Sequence, residues 1–261
     1  MDAHPEPELL VERQGAVLAV TFNRPKARNA MTWGMYEALY EACERADADD
    51  GVRVMLLRGA GTDAFVAGTD IGQFTEFRDG ADGIAYEERI ERVVSRLETV
   101  TVPTVAAVRG YCVGGGLALA AVCDLRVADE TARFGVPVAR TLGNCLSMNT
   151  YSLLVHHFGP ARTLDVLLRA RLYTAEEAGA TGFVAEVCAP GDLDGRVAEV
   201  LDRLQGHAPL SMWAAKEAVR RLRRSGLPDG DDIVARVFGS DDFAAGVRGF
   251  LAKERPQWTG R

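Results

Sequence analysis

No stretch of this 261-residue chain is both long and apolar enough to cross a bilayer. A spanning helix needs roughly 20 apolar residues, and the run Val102–Val108 stops at Arg109. The start, residues 1–8, is acidic and carries two prolines where a secretory signal needs a basic end and an apolar core. A soluble cytoplasmic protein with no membrane partner is expected. Cysteine is sparse and unpatterned: Cys43, Cys112, Cys123, Cys145 and Cys188 are odd in number and form no C-x-x-C pair, which argues against a disulfide framework or a zinc site. The four histidines, at 4, 156, 157 and 207, show no H-E-x-x-H spacing, so no metal is expected. Positive charge is in deficit, with 30 Lys plus Arg against 37 Asp plus Glu and a net charge of −7. That balance disfavours a nucleic acid partner. Phosphate-loop, nucleophile-elbow and papain-like cysteine motifs are missing as well.

What is present is an ordinary globular composition, 48% hydrophobic and 26% charged. Leu9–Arg13 and Ala16–Phe22 alternate as paired strands around Gln14–Gly15. Thr32 then caps a helix whose stripe is Met35, Leu39, Ala42, Cys43 and Ala46. Val52–Leu57 and Ala64–Asp70 read as extended, Tyr86–Val100 as helix and Pro103–Arg109 as a central strand. Gly110–Gly116 reads as a glycine turn into the Ala-rich helix Leu117–Val122. Leu125–Ala128 offers a further strand and Ala132–Phe134 the start of another. From Ser147 nearly everything reads as helix: Ser147–Phe158, Pro160–Leu168, Thr174–Thr181, Leu193–Gln205, Pro209–Arg224 and Asp231–Phe250. A composition shift near residue 190 divides a core, 1–190, from a helical region, 191–261.

Two glycine turns stand out. Gly114-Gly115-Gly116 joins a strand to a helix, where unpaired N–H groups point outward and glycine permits close approach of a ligand. An oxyanion fits there; glycines that simply let an Ala-rich helix pack on a sheet fit equally well. The second turn, Ala67-Gly68-Thr69-Asp70-Ile71, also runs from an extended segment toward a helix, with Asp70 placed to cap it.

With the opening Asn23-Arg24-Pro25-Lys26-Ala27-Arg28-Asn29-Ala30, and with Cys123-Asp124, Arg133-Phe134-Gly135 and Phe250-Leu251-Ala252-Lys253 in order behind them, these turns resemble the crotonase superfamily, the enoyl-CoA hydratase and isomerase family. The resemblance covers about Leu9 to Lys253. It implies an α/β fold, a spiral of ββα units in two sheets with a C-terminal helical region that builds a homotrimer or a dimer of trimers. It implies an acyl-CoA thioester as ligand, CoA being part of the substrate and no separate cofactor being needed. The backbone N–H groups of Thr69 and Gly115 would form an oxyanion hole. CoA contacts would come from Lys26, Ala27, Arg28, Ala67, Asp70, Ile71, Phe250 and Lys253. Where many relatives have a basic residue two positions past the Asp of the second turn, this chain has Gly72.

The departure is in the acid–base pair. By the resemblance, hydratases carry glutamates at the positions held here by Ala118 and Val138, and neither of these side chains moves a proton. Replacement candidates are Arg140, Asn144 and Cys145 in the polar segment after Pro137, and Glu76, Glu87 or Glu88 farther upstream. Asn144 or Ser147 also reads as a helix cap, and Cys145 as a small buried residue. Two functions follow: an acyl-CoA lyase or isomerase without the two-glutamate mechanism, or a catalytically silent acyl-CoA-binding protein.

Overall fold

A computed structural model describes residues 6–227, 229–256 and 258; the first five residues, His4 among them, lie outside the described residues. The chain opens with the hairpin β1 (Leu9–Gln14) and β2 (Val17–Phe22). Helix α1 (Trp33–Ala48) follows, with the Thr32 hydroxyl accepting the Met35 N–H and the expected stripe buried. Strand pairs and helices then alternate. The pair β3 (Val54–Gly59) and β4 (Ala64–Ala67) leads to α2 (Gly80–Glu98). The pair β5 (Thr104–Val108) and β6 (Tyr111–Val113) leads to α3 (Gly115–Val122). The pair β7 (Leu125–Asp129) and β8 (Arg133–Gly135) leads to α4 (Val138–Thr141).

The first strand of each pair joins a six-stranded sheet, β1-β2-β3-β5-β7-β10, and the second joins a four-stranded sheet, β4-β6-β8-β9. This is the spiral of ββα units that the motifs implied. Parallel neighbours place all three turns from the small sheet into helices at one end of it. Burial of both faces explains why Val105–Val108 reads as a continuous apolar run.

Beyond the spiral lie α5 (Met148–Leu168), β9 (Leu172–Thr174), α6 (Ala175–Ala180), β10 (Glu186–Cys188), α7 (Leu193–Gln205) and α8 (Pro209–Arg224). Helices α9 (Asp231–Phe238) and α10 (Asp241–Ala252) close the fold. Although α7 lies beyond residue 190, its Leu193, Val197, Val200 and Leu201 close a second core against Val17, Val54, Leu56, Val105 and Val127. Burial of such side chains stabilises by roughly 1.5–3 kcal/mol each. Among the described residues no helix is long and apolar enough to cross a membrane.

Several elements differ from the sequence reading, each for a local reason. Gly110–Gly116 is not all turn, because Tyr111–Val113 pairs with β4 and β8. Helix α2 begins at Gly80 rather than Tyr86: the Asp79 carboxylate accepts the Ala81 and Asp82 N–H groups, and Gly83 is small because a Cβ there would lie 2.2 Å from Phe238. The expected helix Asp231–Phe250 is two helices, the second capped by the Ser240 hydroxyl on Phe243 N–H. Strands β9 and β10, three residues each, sit within a stretch that reads as helical.

Candidate active site

The two glycine turns meet. Met31 donates to the Gly68 carbonyl and accepts from the Asp70 N–H, a one-residue parallel bridge that turns the Thr69 N–H to the opposite side. At the start of α3, the Gly114 N–H donates to Gly135 O, while Leu117 and Ala118 donate to Gly114 O. Gly115 therefore offers one of the N–H groups that a helix start leaves without an intrahelical acceptor. A Cβ built on Gly115 would lie 4.0 Å from Thr69 N and 2.9 Å from the Tyr36 hydroxyl. Both donors thus border one small space.

The three consecutive glycines have separate duties. Gly114 takes a φ of +56°, which favours glycine. Gly116 packs α3 on β4 so tightly that a Cβ would lie 2.1 Å from Val66 O. Gly115 leaves the space beside Thr69 open.

Two residues that sequence reasoning missed line this space. The Thr69 hydroxyl lies 2.9 Å from the Tyr36 hydroxyl and 2.9 Å from the Tyr86 hydroxyl, bridging α1 and α2. Burial pushes both phenols well above their ordinary range, so they stay neutral. Each belongs to a buried helical stripe, where an aromatic residue reads as core; only its pairing with Thr69 distinguishes it. Around Tyr86 stand Phe74, Phe77 and Phe238, with ring centroids 4.9, 5.9 and 5.8 Å away.

The motif Asn23–Ala30 divides between scaffold and surface. Asn29 is fully buried; its side-chain amide donates to Ala60 O and Ala64 O while its oxygen accepts the Arg24 N–H. Arg24 pairs with Asp70 at 2.9 Å, and Asp70 also accepts the Gly72 N–H. These contacts hold the Thr69 turn. Lys26, Ala27 and Arg28 are exposed, in and just after a 3₁₀ turn. Arg28 stacks over Tyr111 at 5.0 Å, and its carbonyl accepts the Ala67 N–H. Arg28 and Ala67 are therefore brought together next to Thr69, and Arg24 ties Asp70 to the same strip; Lys26 and Ala27 lie in the adjoining 3₁₀ turn, and Ile71 opens the 3₁₀ turn Ile71–Phe74. Phe250 stands on the exposed side of α10, whose buried residues are Phe243, Gly246, Val247 and Gly249, and the exposed Lys253 is its C-cap.

Ala118 is buried on α3 and Val138 opens α4. After them Arg140 is exposed. Asn144 reaches Cys145 O at 3.4 Å and leaves its own buried oxygen without a partner among the described residues. Ser147, rather than Asn144, caps α5 by accepting the Thr150 N–H. Burial pushes the Cys145 thiol up to about 12, so it carries its proton at neutral pH. Of the upstream glutamates, Glu76 and Glu88 are exposed, whereas Glu87 is buried and its carboxylate accepts the Ser147 N–H at 2.9 Å. No group of three or more His, Cys, Asp or Glu suited to a metal ion occurs among the described residues.

A spiral of ββα units over two sheets, followed by a helical C-terminal region, is the crotonase class of fold. Residues 12–261 match the enoyl-CoA hydratase/isomerase family, and the chain belongs to that family. It is 32% identical to the 2,3-dehydroadipyl-CoA hydratase of Escherichia coli K12, with 97% of this chain and 99% of that protein covered. An enoyl-CoA hydratase/carnithine racemase structure from Magnetospirillum magneticum is 33% identical, with a TM-score of 0.80 over 98% of this chain and 96% of that one. Methylmalonyl-CoA decarboxylase in complex with 2-nitronate-propionyl-CoA superposes with a TM-score of 0.88 at 22% identity, covering 98% of this chain and 99% of that one, a likeness of fold.

Proposed function

We propose that this protein acts on an acyl-CoA thioester by polarising its carbonyl between the N–H groups of Thr69 and Gly115. The observation that supports the reading is the closeness of the Gly115 position to Thr69 N, where two strand-to-helix turns meet. An enolate formed next to a thioester concentrates charge on one oxygen. A prearranged donor aimed at that oxygen is worth about 2.7–4 kcal/mol in the transition state. Lys26 and Arg28, with Phe250 and Lys253 from α10, would serve the CoA end, the last two in a homotrimer or dimer of trimers. The reaction is lyase or isomerase chemistry outside the two-glutamate mechanism, since Ala118 and Val138 hold no proton.

The same two residues also support a second reading, a catalytically silent acyl-CoA-binding protein. Calorimetry with crotonyl-CoA, CoA and crotonate tests the shared part: the CoA ester binds and the free acid does not. Equal affinity for acid and ester would remove the CoA reading. A turnover screen over CoA thioesters then separates enzyme from binder.

A further inference from the structure

Helix α2 turns one stripe inward: Gly83, Tyr86, Glu87, Ile90, Val93, Val94 and Leu97. Spacing of three and four accounts for every member except the chemistry of one. Glu87 is an acid in a place that calls for a hydrocarbon, and it is 9% exposed. Its neighbour Tyr86 touches Thr69, and its own carboxylate touches Ser147 N–H at the end of the segment that follows Val138. It therefore ties α2, which brings Tyr86 to Thr69, to the segment that follows Val138, the region from which a proton-moving side chain is missing. Resting on the acyl-CoA reading above, we infer that Glu87 is the acid–base group of this site, supplied from α2 in place of the side chains lost at 118 and 138.

The charges around it favour a group that takes and returns a proton near neutral pH. Burial, with a smaller contribution from Glu91 on the same helix, pushes its carboxyl up to about 8, against the lowering effect of Ser147 N–H. From α1 it faces the neutral phenol of Tyr36, and from α5 and the loop before it Tyr151 and Cys145. Helix α3, packed on α2, carries no ionisable side chain. Asp231, Asp232 and Arg236 of α9 are exposed, and Glu37 of α1 is held by Arg89 and Arg92. Glu91 is itself paired with Arg224 of α8, and among the described residues no cation is among the groups that shift Glu87.

The step balances without a further reagent. Ionised Glu87 takes a proton from the carbon beside the thioester carbonyl. The C–H pair becomes the C=C of the enolate, and the carbonyl π pair moves onto oxygen between Thr69 and Gly115. Protonated Glu87 then returns the proton to the same carbon or, in a β,γ-unsaturated ester, to the γ carbon with migration of the double bond. One carboxyl suffices for this, whereas hydration needs a positioned water in addition. The substrate class is thus an acyl-CoA with an acidic α C–H, and the reaction class is proton transfer.

The test uses the full-length protein, butyryl-CoA in D₂O with deuterium uptake read by mass spectrometry, and 3-butenoyl-CoA with conversion to crotonyl-CoA read by absorbance. Glu87→Gln keeps the shape and the acceptor for Ser147 N–H. It should lower exchange at least about 100-fold, as loss of a positioned acid–base group does, while the calorimetric Kd for butyryl-CoA stays within about threefold. Glu87→Asp should retain a measurable part of the rate, and Glu88→Gln all of it. Wild-type exchange should rise about tenfold per pH unit to near pH 8 and level above it, a limb that Glu87→Gln lacks. Should Glu87→Gln not fold, carbon-13 NMR of glutamate-labelled wild type keeps the question open to an answer: a carboxyl titrating near pH 8 should move when butyryl-CoA binds, and its failure to move overturns the inference. Undiminished exchange in the folded variant overturns it, as does a wild type that binds butyryl-CoA yet neither exchanges nor isomerises. Absence of any CoA thioester binding would instead sink the acyl-CoA reading itself.

Discussion

The site has two halves that depend on the sequence in different ways. On the donor side, the role proposed for Thr69 and Gly115 uses backbone N–H groups, so what must be preserved is the path of the chain. That path is enforced by packing: Gly116 admits no Cβ beside Val66 O, Gly68 and Gly114 take φ values of +93° and +56°, and Asn29 and Arg24 tie the Thr69 turn from behind. On the proton side, function depends on the identity of single side chains. Replacement by Ala118 and Val138 costs the fold nothing visible, since both pack against the core. On the proposed reading, this chain keeps the carbonyl-polarising turns while its proton chemistry moves to another element.

The sharpest way to test that separation is to restore what is missing. Ala118 follows Gly115 by three residues on α3, so it shares a face with it. Ala118→Glu with Val138→Glu places carboxylates where the resembling hydratases carry theirs. Crotonyl-CoA hydration should rise by about 10²–10⁴-fold, the usual contribution of a positioned acid or base. Circular dichroism checks folding, because a carboxyl at buried position 118 is partly desolvated. A folded double variant that binds crotonyl-CoA but gains no hydration would mean that Arg140–Asn149 has reshaped the proton side beyond repair by two residues.

Breaking the donor side should have the next largest effect. Gly115→Pro deletes one N–H and fixes φ near −65°. Turnover with whichever CoA thioester is the substrate should fall about 10²–10³-fold. A variant that folds and turns over at the wild-type rate would remove Gly115 from the mechanism.

How much of this was legible in the sequence differs between the halves for the same reason. The turns are written locally: Gly114-Gly115-Gly116 and Gly68-Thr69-Asp70 carry their conformation in their composition, and both proved to face each other. The helices Leu193–Gln205 and Pro209–Arg224 were readable to the residue from their stripes. Three of the four three-residue strands were not, β8 being the one whose start was read, because β6, β9 and β10 are too short to show alternation and exist through their sheet neighbours. Tyr36, Tyr86 and the burial of Glu87 were hidden for a further reason. Which face of a helix meets which turn is decided by long-range packing, and a tyrosine on an apolar stripe gives no local sign of the hydroxyl it will touch.

Buried Glu87 should also leave a mark on stability. Its carboxyl sits at about 8 against an ordinary 4.5, so between those values the folded chain holds a proton that the unfolded chain releases. Stability from this group is full below about pH 4.5, falls as pH rises, and levels off above about pH 8. The loss across that window should be of the order of a few kcal/mol. Glu87→Gln should remove this slope, making the variant more stable than wild type above pH 8 in urea titrations. Parallel curves for the two proteins would mean that Glu87 is solvated and not held in its neutral form.

The smallest effect expected on function separates side chain from backbone at Thr69 itself. Its hydroxyl joins Tyr36 and Tyr86, and among the described residues it is the hydrogen-bond partner of both phenols. Thr69→Val keeps the volume and the N–H but strands two buried hydroxyls. Leaving a buried polar group unsatisfied costs about 1–3 kcal/mol, which should appear as a lower urea midpoint with an unchanged slope. The donor aimed at the carbonyl is still present, because Met31 bonds to Gly68 and Asp70 through main-chain atoms and fixes the direction of the Thr69 N–H. Affinity for butyryl-CoA should therefore change by less than about threefold while stability falls. A loss of binding as large as that caused by Gly115→Pro would mean that the hydroxyl chain, rather than the backbone pair, holds the thioester, and the contrast between a donor side built from chain path and a proton side built from side chains would no longer stand.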